Sequence, residues 1–235
     1  MKVCILTCGM SKGTGSGVDR YAWELIHNLE HNLGVDPLII TQQKTGDVLF
    51  PIRKLPSLIK ALRTKADIFH VTAHRLMDPI LLRKKRRLVV TIHDLLPFPN
   101  SITSFYRKEF SVKKYYGRYC ISLARYAQVI ITTFNVTKTD LVKRLGFPPE
   151  KIKVVNLGVN HSQFRPLPEI KCDKETNSIL FLGDADWKEG FDVLLKAFSV
   201  LSREMQVDLY VGGKVNKSFV QRLLKLYEID STKVK

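Results

Sequence analysis

The sequence predicts an α/β protein with two Rossmann-like parallel sheets, the second smaller than the first. Apolar, strand-like runs alternate with segments of helical period along nearly the whole chain, which is the pattern of consecutive βαβ units. The first unit is the clearest, because an apolar run (3–7), a glycine-rich turn and an amphipathic segment follow one another. The stretch 156–172 has two prolines and no periodic element. We therefore predict domains at 1–163 and 174–235 with a linker at 164–173.

The first domain is predicted to contain six strands with helices between them. The strands are expected at 3–7, 37–41, 67–72, 88–94, 129–133 and 152–155, and the helices at 19–31, 56–64, 79–82, 105–128 and 138–145. The run 88–92 is apolar and β-branched, which is typical of a strand buried on both faces. Asn135 or Thr137 is the predicted N-cap of the last helix in this domain.

The second domain is predicted to be a partial α/β unit. Its strands are expected at 178–182 and 207–211, its helices at 191–205 and 218–227, and the beginning of a further strand at 234–235. Such a short unit is small for a self-sufficient sheet core. We expect either that it packs against the first domain or that the chain is a fragment of a longer protein.

Charge and cysteine content limit the kinds of partner and site that the protein can have. The 38 Lys and Arg against 22 Asp and Glu give a net charge of +16, which favours an anionic partner such as a membrane surface, a phosphorylated substrate or nucleic acid. Nucleic acid is the least favoured, since no nucleic-acid-reading motif is present. The four cysteines have no metal-ligand spacing. With no leader and no run of about 18 apolar residues, we expect a cytoplasmic protein, or one peripheral on the inner face of the cell membrane.

The first turn has two interpretations. Gly13, Gly15 and Gly17 alternate, so the spacing is neither that of a dinucleotide fingerprint nor that of a P-loop. Glycines before a helix allow a backbone to approach a phosphate, and the helix N-terminus attracts an anion. Plain turn chemistry explains the glycines equally well.

Polar residues follow two predicted buried strands. His70 lies at the end of one strand, and His93 and Asp94 lie at the end of the next. In open α/β sheets, ligands bind just beyond such strand ends. A packed structural histidine is the alternative for His70 and His93, and it is the favoured interpretation for the nearby His74.

The segment 105–126 mixes aromatic and basic residues. Its cations include Arg107, Lys108, Lys113, Lys114 and Arg118. One interpretation is a helix that lies on an anionic membrane surface. The other is an amphipathic helix whose aromatic side chains pack on the sheet.

Five segments in order resemble family 4 glycosyltransferases of the GT-B fold. They are Gly17–Tyr21, Asp67–Val71, Thr91–Leu95, Lys151–Asn160 with Phe164 and Pro166, and Phe181–Gly183 through Gly190–Phe198. The resemblance covers nearly the whole chain. It implies two Rossmann-like domains facing each other across a cleft, and transfer of a sugar from a nucleotide-sugar donor to a hydroxyl acceptor, usually with retention of configuration and without metal or other cofactor.

The resemblance also implies roles for particular residues. The loop residues Gly15, Ser16 and Gly17 would lie beside the donor diphosphate, with Gly183 and Lys188 as further donor contacts. His93 would contact the transferred sugar, with Asp94 beside it. Arg20 and His70 would contact acceptor or sugar. The acceptor would be a lipid-linked molecule or a surface glycan precursor.

Two departures from the family pattern favour an alternative. Where the family carries two phosphate-gripping cations, this chain has Asp184 and Glu189, and Lys188 stands one residue early. The family's Glu-x7-Glu segment would lie beyond residue 235. We therefore expect little or no transferase activity from this chain alone. The alternative function is a non-catalytic GT-B-like binding protein or subunit that holds a polyanion, an anionic membrane or a partner on its basic surface.

Overall fold

The computed structural model describes residues 1–10, 16–42, 52, 55–82, 87–95, 98, 112–166, 177–186 and 189–235, with the side chains of 112–114 left out. Contacts divide the chain into two compact units, Met1–Val159 and Asn160–Lys235. Each unit is described by itself below.

The first unit is built on a six-stranded parallel sheet. Its strands are β1 (Val3–Thr7), β2 (Leu38–Thr41), β3 (Ile68–Val71), β4 (Arg87–Ile92), β5 (Val129–Thr132) and β6 (Ile152–Val154), in the spatial order β2-β1-β3-β4-β5-β6. The connection reverses direction between β1 and β3. This is the topological switch point of a doubly wound sheet, where a crevice forms at the carboxyl ends of the strands.

Helices accompany this sheet. They are α1 (Gly17–Leu33), α2 (Leu55–Arg63), α3 (Pro79–Leu82), α4 (Val112–Ala124) and α5 (Asn135–Leu145). The central strands are buried, and Phe69, Val90 and Ile130 pack in one continuous core with Ile121 of α4 and Leu141 of α5. Burial of such apolar surface is the main stabilising term of the unit.

The second unit contains a parallel pair of strands with two helices. The strands are β7 (Asn177–Leu182) and β8 (Val207–Gly212), and the helices are α6 (Phe191–Glu204) and α7 (Lys217–Leu226). Phe191, Leu195 and Phe198 of α6 form the core with Leu209 and Leu223. Val234 pairs with Leu209 in a parallel bridge, where the sequence predicts the beginning of a further strand.

Two predicted helix boundaries were wrong. The helix predicted at 105–128 ends at Ala124, because the N–H groups of Arg125, Tyr126 and Ala127 bond three residues back in a tight turn. The helix predicted at 138–145 begins at Asn135, with Phe134 at the N-cap position. Asn135 and Thr137 therefore lie inside the helix and do not cap it. Within the described residues, no helix is long and apolar enough to cross a membrane.

Candidate functional site at the carboxyl ends of β3 and β4

Hydrogen bonds between side chains connect α1, β4 and β3 next to the switch point. Thr91, near the end of β4, lies at its centre. Its Oγ1 is 2.9 Å from His70 Nε2 on β3 and 3.1 Å from the Tyr21 hydroxyl on α1. His70 is 7% exposed and Thr91 is fully buried. Since buried polar groups are costly unless paired, these bonds fix the three side chains relative to one another.

His93 follows β4 and is held on two sides. Its Nε2 lies 2.9 Å from the carbonyl oxygen of Thr72, and its ring meets the Tyr21 ring edge-on, with 4.9 Å between centroids. A carbonyl oxygen can only accept a hydrogen bond, so Nε2 carries the proton. In the neutral ring, Nδ1 therefore keeps a lone pair that can accept a hydrogen bond from a hydroxyl.

The imidazoles of the site are held neutral. Burial lowers the pKa of His70 to about 4, with a smaller contribution from the nearby His93. Burial also lowers the pKa of His93, while the Thr72 carbonyl and Asp94 act in the opposite direction. Burial raises the pKa of Tyr21, against the hydrogen bond from Thr91. At neutral pH the cluster therefore presents neutral donors and acceptors, the groups that suit a polyhydroxylated ligand.

His74 is a third buried histidine in this region. It lies in a short 3₁₀ turn, His74–Leu76, that follows β3, and it is 5% exposed. Among the described residues, neither ring nitrogen has a hydrogen-bond partner. Burial lowers its pKa to about 4, against the attraction of Asp94. The electrostatic influence of both Asp94 and His93 on this ring places it beside the candidate site.

The N-terminus of α1 is shaped by a side-chain cap. The Asp19 carboxylate accepts hydrogen bonds from the Ser16 N–H at 2.8 Å and from the Ser16 hydroxyl at 3.0 Å. The Ser16 N–H, predicted to face a phosphate, is thus already engaged. Gly17 and Val18 have no acceptor for their N–H groups among the described residues, so these two groups are the available anion donors of the helix.

The described residues leave room for a larger side chain at position 17. A Cβ at this position would meet no atom of the described residues within 4 Å, and the backbone is not left-handed. The described residues therefore do not by themselves require glycine at this position. Open space at this backbone is compatible with close approach of a ligand.

The corresponding loop of the second unit is organised by its backbone. The Gly183 N–H donates to the Gly212 carbonyl at 2.9 Å. The Asp184 carboxylate accepts from the Lys214 N–H at 3.3 Å, and that of Asp186 accepts from the Glu189 N–H at 3.2 Å. Asp184 thus has a structural function in joining the ends of β7 and β8.

The described part of the basic segment has aromatic side chains in solvent. Tyr115 and Tyr119 on α4 and Tyr126 after it are exposed. The Arg118 guanidinium lies over the rings of Phe98 and Tyr115, at 5.6 and 5.4 Å from their centroids. The interpretation that the aromatic residues all pack on the sheet is therefore wrong for these three tyrosines.

The structure brings some predicted site residues together and leaves others apart. His70 and His93 are joined through Tyr21 and Thr91, and Asp94 adjoins His93. Arg20, on α1, forms an ion pair with Glu24 at 3.2 Å. The predicted residues Gly15, Lys188, Arg107 and Lys108, and the side chains of Lys113 and Lys114, lie outside the described part.

Sequence reasoning missed Tyr21 and Thr91. Both lie in segments that carry the family resemblance, Gly17–Tyr21 and Thr91–Leu95, but neither residue type by itself indicates a site. The contact between them joins positions 70 residues apart. A hydroxyl inside an otherwise apolar strand is the one signal that could have indicated Thr91.

The family is established by a direct match. The model of Glycosyltransferase Family 4 matches residues 15–163, so the chain belongs to this family. The O-antigen chain mannosyltransferase RfbU of Salmonella typhimurium (strain LT2) is 20% identical over 239 aligned residues, which cover 86% of this chain and 65% of the relative. The chain thus spans slightly less than two thirds of that protein's length.

Solved structures agree on the fold. The structure of Anabaena Alr3699/HepE in complex with UDP and glucose has a TM-score of 0.66 at 16% identity, covering all of this chain and 68% of that one. A glycosyltransferase from Rickettsia africae has a TM-score of 0.64 at 16% identity, covering all of this chain and 67% of that one. At such identities the likeness shows the fold, which is GT-B.

Proposed function

We propose that this chain carries the acceptor side and part of the donor side of a glycosyltransferase, which moves a sugar from a nucleotide-sugar donor to a hydroxyl acceptor. Family membership supports the reaction class. The observation that carries the proposal is the neutral, hydrogen-bonded cluster of Tyr21, His70, Thr91 and His93 at the carboxyl ends of the strands. Such a cluster can bind hydroxyl groups without carrying net charge.

The donor diphosphate is proposed to bind at the N-terminus of α1. The N–H groups of Gly17 and Val18 have no acceptor among the described residues, and the helix dipole favours negative charge there. As the bond to the sugar breaks, charge grows on the departing diphosphate, and fixed N–H donors stabilise it without reorganisation. The Asp19 carboxylate holds the N-cap, so it shapes this donor site without contacting the phosphates.

The transferred sugar is proposed to lie against His93. The lone pair on Nδ1 accepts a hydrogen bond from a sugar hydroxyl, while the Thr72 carbonyl and the Tyr21 ring hold the imidazole in position. This is positioning chemistry, and His93 is not assigned as a general base. Asp94 follows His93 and is proposed to stabilise the positive charge that builds on the sugar ring. His70 and Arg20 are proposed as contacts to sugar or acceptor.

Finer features of the reaction rest on the family resemblance. We propose a retaining transfer in which the helix N-terminus supplies the stabilisation of the leaving group, so that no metal is required. Gly183 and Lys188 are retained as proposed donor contacts in the second unit. The name of the Salmonella relative specifies an O-antigen chain and a mannosyltransferase, so we propose hexose donors and surface glycan precursors as the first substrates to test.

Contact with an anionic membrane is proposed for α4 and the segment before it. The three exposed tyrosines support this, together with the contact between Arg118 and the Tyr115 ring, since aromatic and cationic side chains together suit a lipid headgroup region. The protein would then lie in the cytoplasm and bind the inner face of the membrane peripherally.

Vesicle co-sedimentation tests the membrane proposal. We expect binding to anionic vesicles and little binding to neutral ones, and release by Lys113→Glu combined with Lys114→Glu. The control carries the same charge change at Lys217 and Lys225, which are exposed on α7 of the second unit. If the two double variants bind equally, the effect is one of net charge and the proposed surface is wrong.

Calorimetric titration with UDP, GDP and their hexose conjugates tests the transferase proposal. We expect one nucleotide to bind, its sugar conjugate to bind more tightly, and His93→Ala to remove only the gain from the sugar. Absence of binding by every nucleotide would favour the second candidate, a non-catalytic GT-B-like protein. The positions of Asp184 and Glu189, where the family carries cations, are the observation that favours that candidate.

A further inference from the structure

Helix α1 carries a ladder of three aromatic rings. Trp23, His27 and His31 follow one another at four-residue steps, which places them on one face of the helix. The Trp23 and His27 rings are stacked, with 4.8 Å between centroids and 12° between planes. The His27 and His31 centroids are 4.0 Å apart, with their planes tilted by 40°. His31 is exposed and His27 is half-buried, so solvent reaches the pair.

The His31 ring is fixed in one tautomer. Its Nδ1 lies 2.9 Å from the backbone carbonyl oxygen of His27. The carbonyl can only accept, so Nδ1 carries the proton and Nε2 of the neutral ring keeps its lone pair. A histidine that binds a metal usually donates its other N–H to a carbonyl or carboxylate in this way. The Nε2 lone pair of His31 is therefore available to bind a metal ion.

We propose that His27 and His31 form a surface site for a divalent transition metal of the Ni²⁺, Cu²⁺ or Zn²⁺ class. Imidazole is a preferred ligand of these ions, and two histidines four apart on one helix face can bind one ion together. Within the described residues, no third histidine, cysteine or carboxylate joins them in a cluster. Glu24, one turn before His27, pairs with Arg20. Two imidazoles thus hold the ion, and water completes its coordination.

This site is separate from the proposed sugar and phosphate site. His27 lies eleven residues after Ser16, which is about 16 Å along the helix axis. The proposal does not depend on the proposed function. A metal that binds only the folded protein also stabilises it, here by linking two successive turns near the end of α1.

Titration of the tag-free protein with Ni²⁺, followed by tryptophan fluorescence and by calorimetry, tests the proposal. We expect saturable quenching, because Trp23 stacks on a proposed ligand. His27→Gln and His31→Gln should each weaken binding by about tenfold or more. The control, His161→Gln, makes the same change at an exposed histidine of the second unit and should leave the titration unchanged. Protons compete for the imidazoles, so binding should weaken as pH falls.

Trp23→Phe locates the bound ion. The chain has two tryptophans, and this variant should lose the saturable quenching while calorimetry still detects Ni²⁺ binding. Each of three results would overturn the proposal: no saturable binding to the wild-type protein, equal binding by the His27→Gln/His31→Gln double variant, or quenching that persists in Trp23→Phe.

Discussion

The strand ends of the two units are built in different ways. In the first unit, the ends of β3 and β4 carry the polar side chains of the candidate site. Contacts with Thr91 and Tyr21 hold His70 and His93 in place. In the second unit, glycines follow β7 and β8 directly, and the backbones of Gly183 and Gly213 lie close together. A Cβ at Gly213 would lie 2.1 Å from the Gly183 carbonyl oxygen. The strand ends of the first unit are therefore organised by side-chain contacts, whereas those of the second unit depend on close packing of the backbone.

This difference shows that glycines in similar loops need not have the same function. Gly213 has a φ of +143° and no space for a side chain, whereas Gly17 has open space around it and an ordinary backbone conformation. Structural necessity explains the first residue and does not explain the second. The same Gly→Ala substitution should therefore have very different effects on stability in the two units.

The largest expected effect is that of Gly213→Ala. The clash with the Gly183 carbonyl and the strained backbone should lower the free energy of unfolding by about 3 kcal/mol. Gly17→Ala is the matched control and should leave stability within about 0.5 kcal/mol. Urea denaturation of both variants measures this. Equal losses of stability would contradict the distinction between the two loops.

Thr91→Val tests the side-chain cluster. It keeps the shape of the residue but leaves Tyr21 and His70 without their shared partner, so stability should fall by about 2 kcal/mol. Thr132→Val on β5 is the control, because the buried Thr132 hydroxyl has no hydrogen-bond partner in the described part of the chain. It should be neutral or slightly stabilising. If both variants behave alike, the contacts of Thr91 do not organise the cluster.

The buried histidines predict a dependence of stability on pH. The pKa of His74 is lowered from 6.5 to about 4 on folding, so the unfolded chain takes up the proton first as pH falls below 6.5. The stability contributed by the neutral ring is therefore present above pH 6.5 and is lost progressively down to about pH 4. His70 acts in the same direction.

His74→Leu isolates this effect. The variant should match the wild type at pH 7.5, because the ring has no hydrogen bond to lose. Its stability should then fall less steeply on acidification, by about 1.4 kcal/mol per pH unit within the window. His70→Leu should instead already be destabilised at pH 7.5, because it loses the hydrogen bond between His70 and Thr91. Parallel pH profiles for His74→Leu and the wild type would contradict the assignment.

Much of the fold could be predicted from local patterns. The strand bounds differ from the predicted ones by at most two residues at either end, because a buried parallel strand is a continuous apolar run. The start of α5 was missed, since Phe134 occupies the N-cap without any side-chain hydrogen bond and so gives no capping signal. The end of α4 was missed because it is set by the turn that leads into β5.

The candidate site was predictable only in part. His70 lies near the end of one strand that the sequence reveals and His93 and Asp94 follow the next, so their common position could be inferred. The contacts of Tyr21 and Thr91 arise only when α1 packs over β4. The capping bond between Ser16 and Asp19, which engages the Ser16 N–H, depends on the conformation of the turn. A pattern of residue types does not specify these bonds.

The most direct test of the central claim is to follow the imidazole resonances by NMR while a nucleotide and then its sugar conjugate are added. We predict that the nucleotide alone leaves the His93 nitrogen signals nearly unchanged, and that the sugar conjugate shifts Nδ1 as it accepts a hydrogen bond. His161 serves as the internal control. Binding of the sugar conjugate without any change at His93 would contradict the assignment of the transferred sugar to the carboxyl ends of β3 and β4.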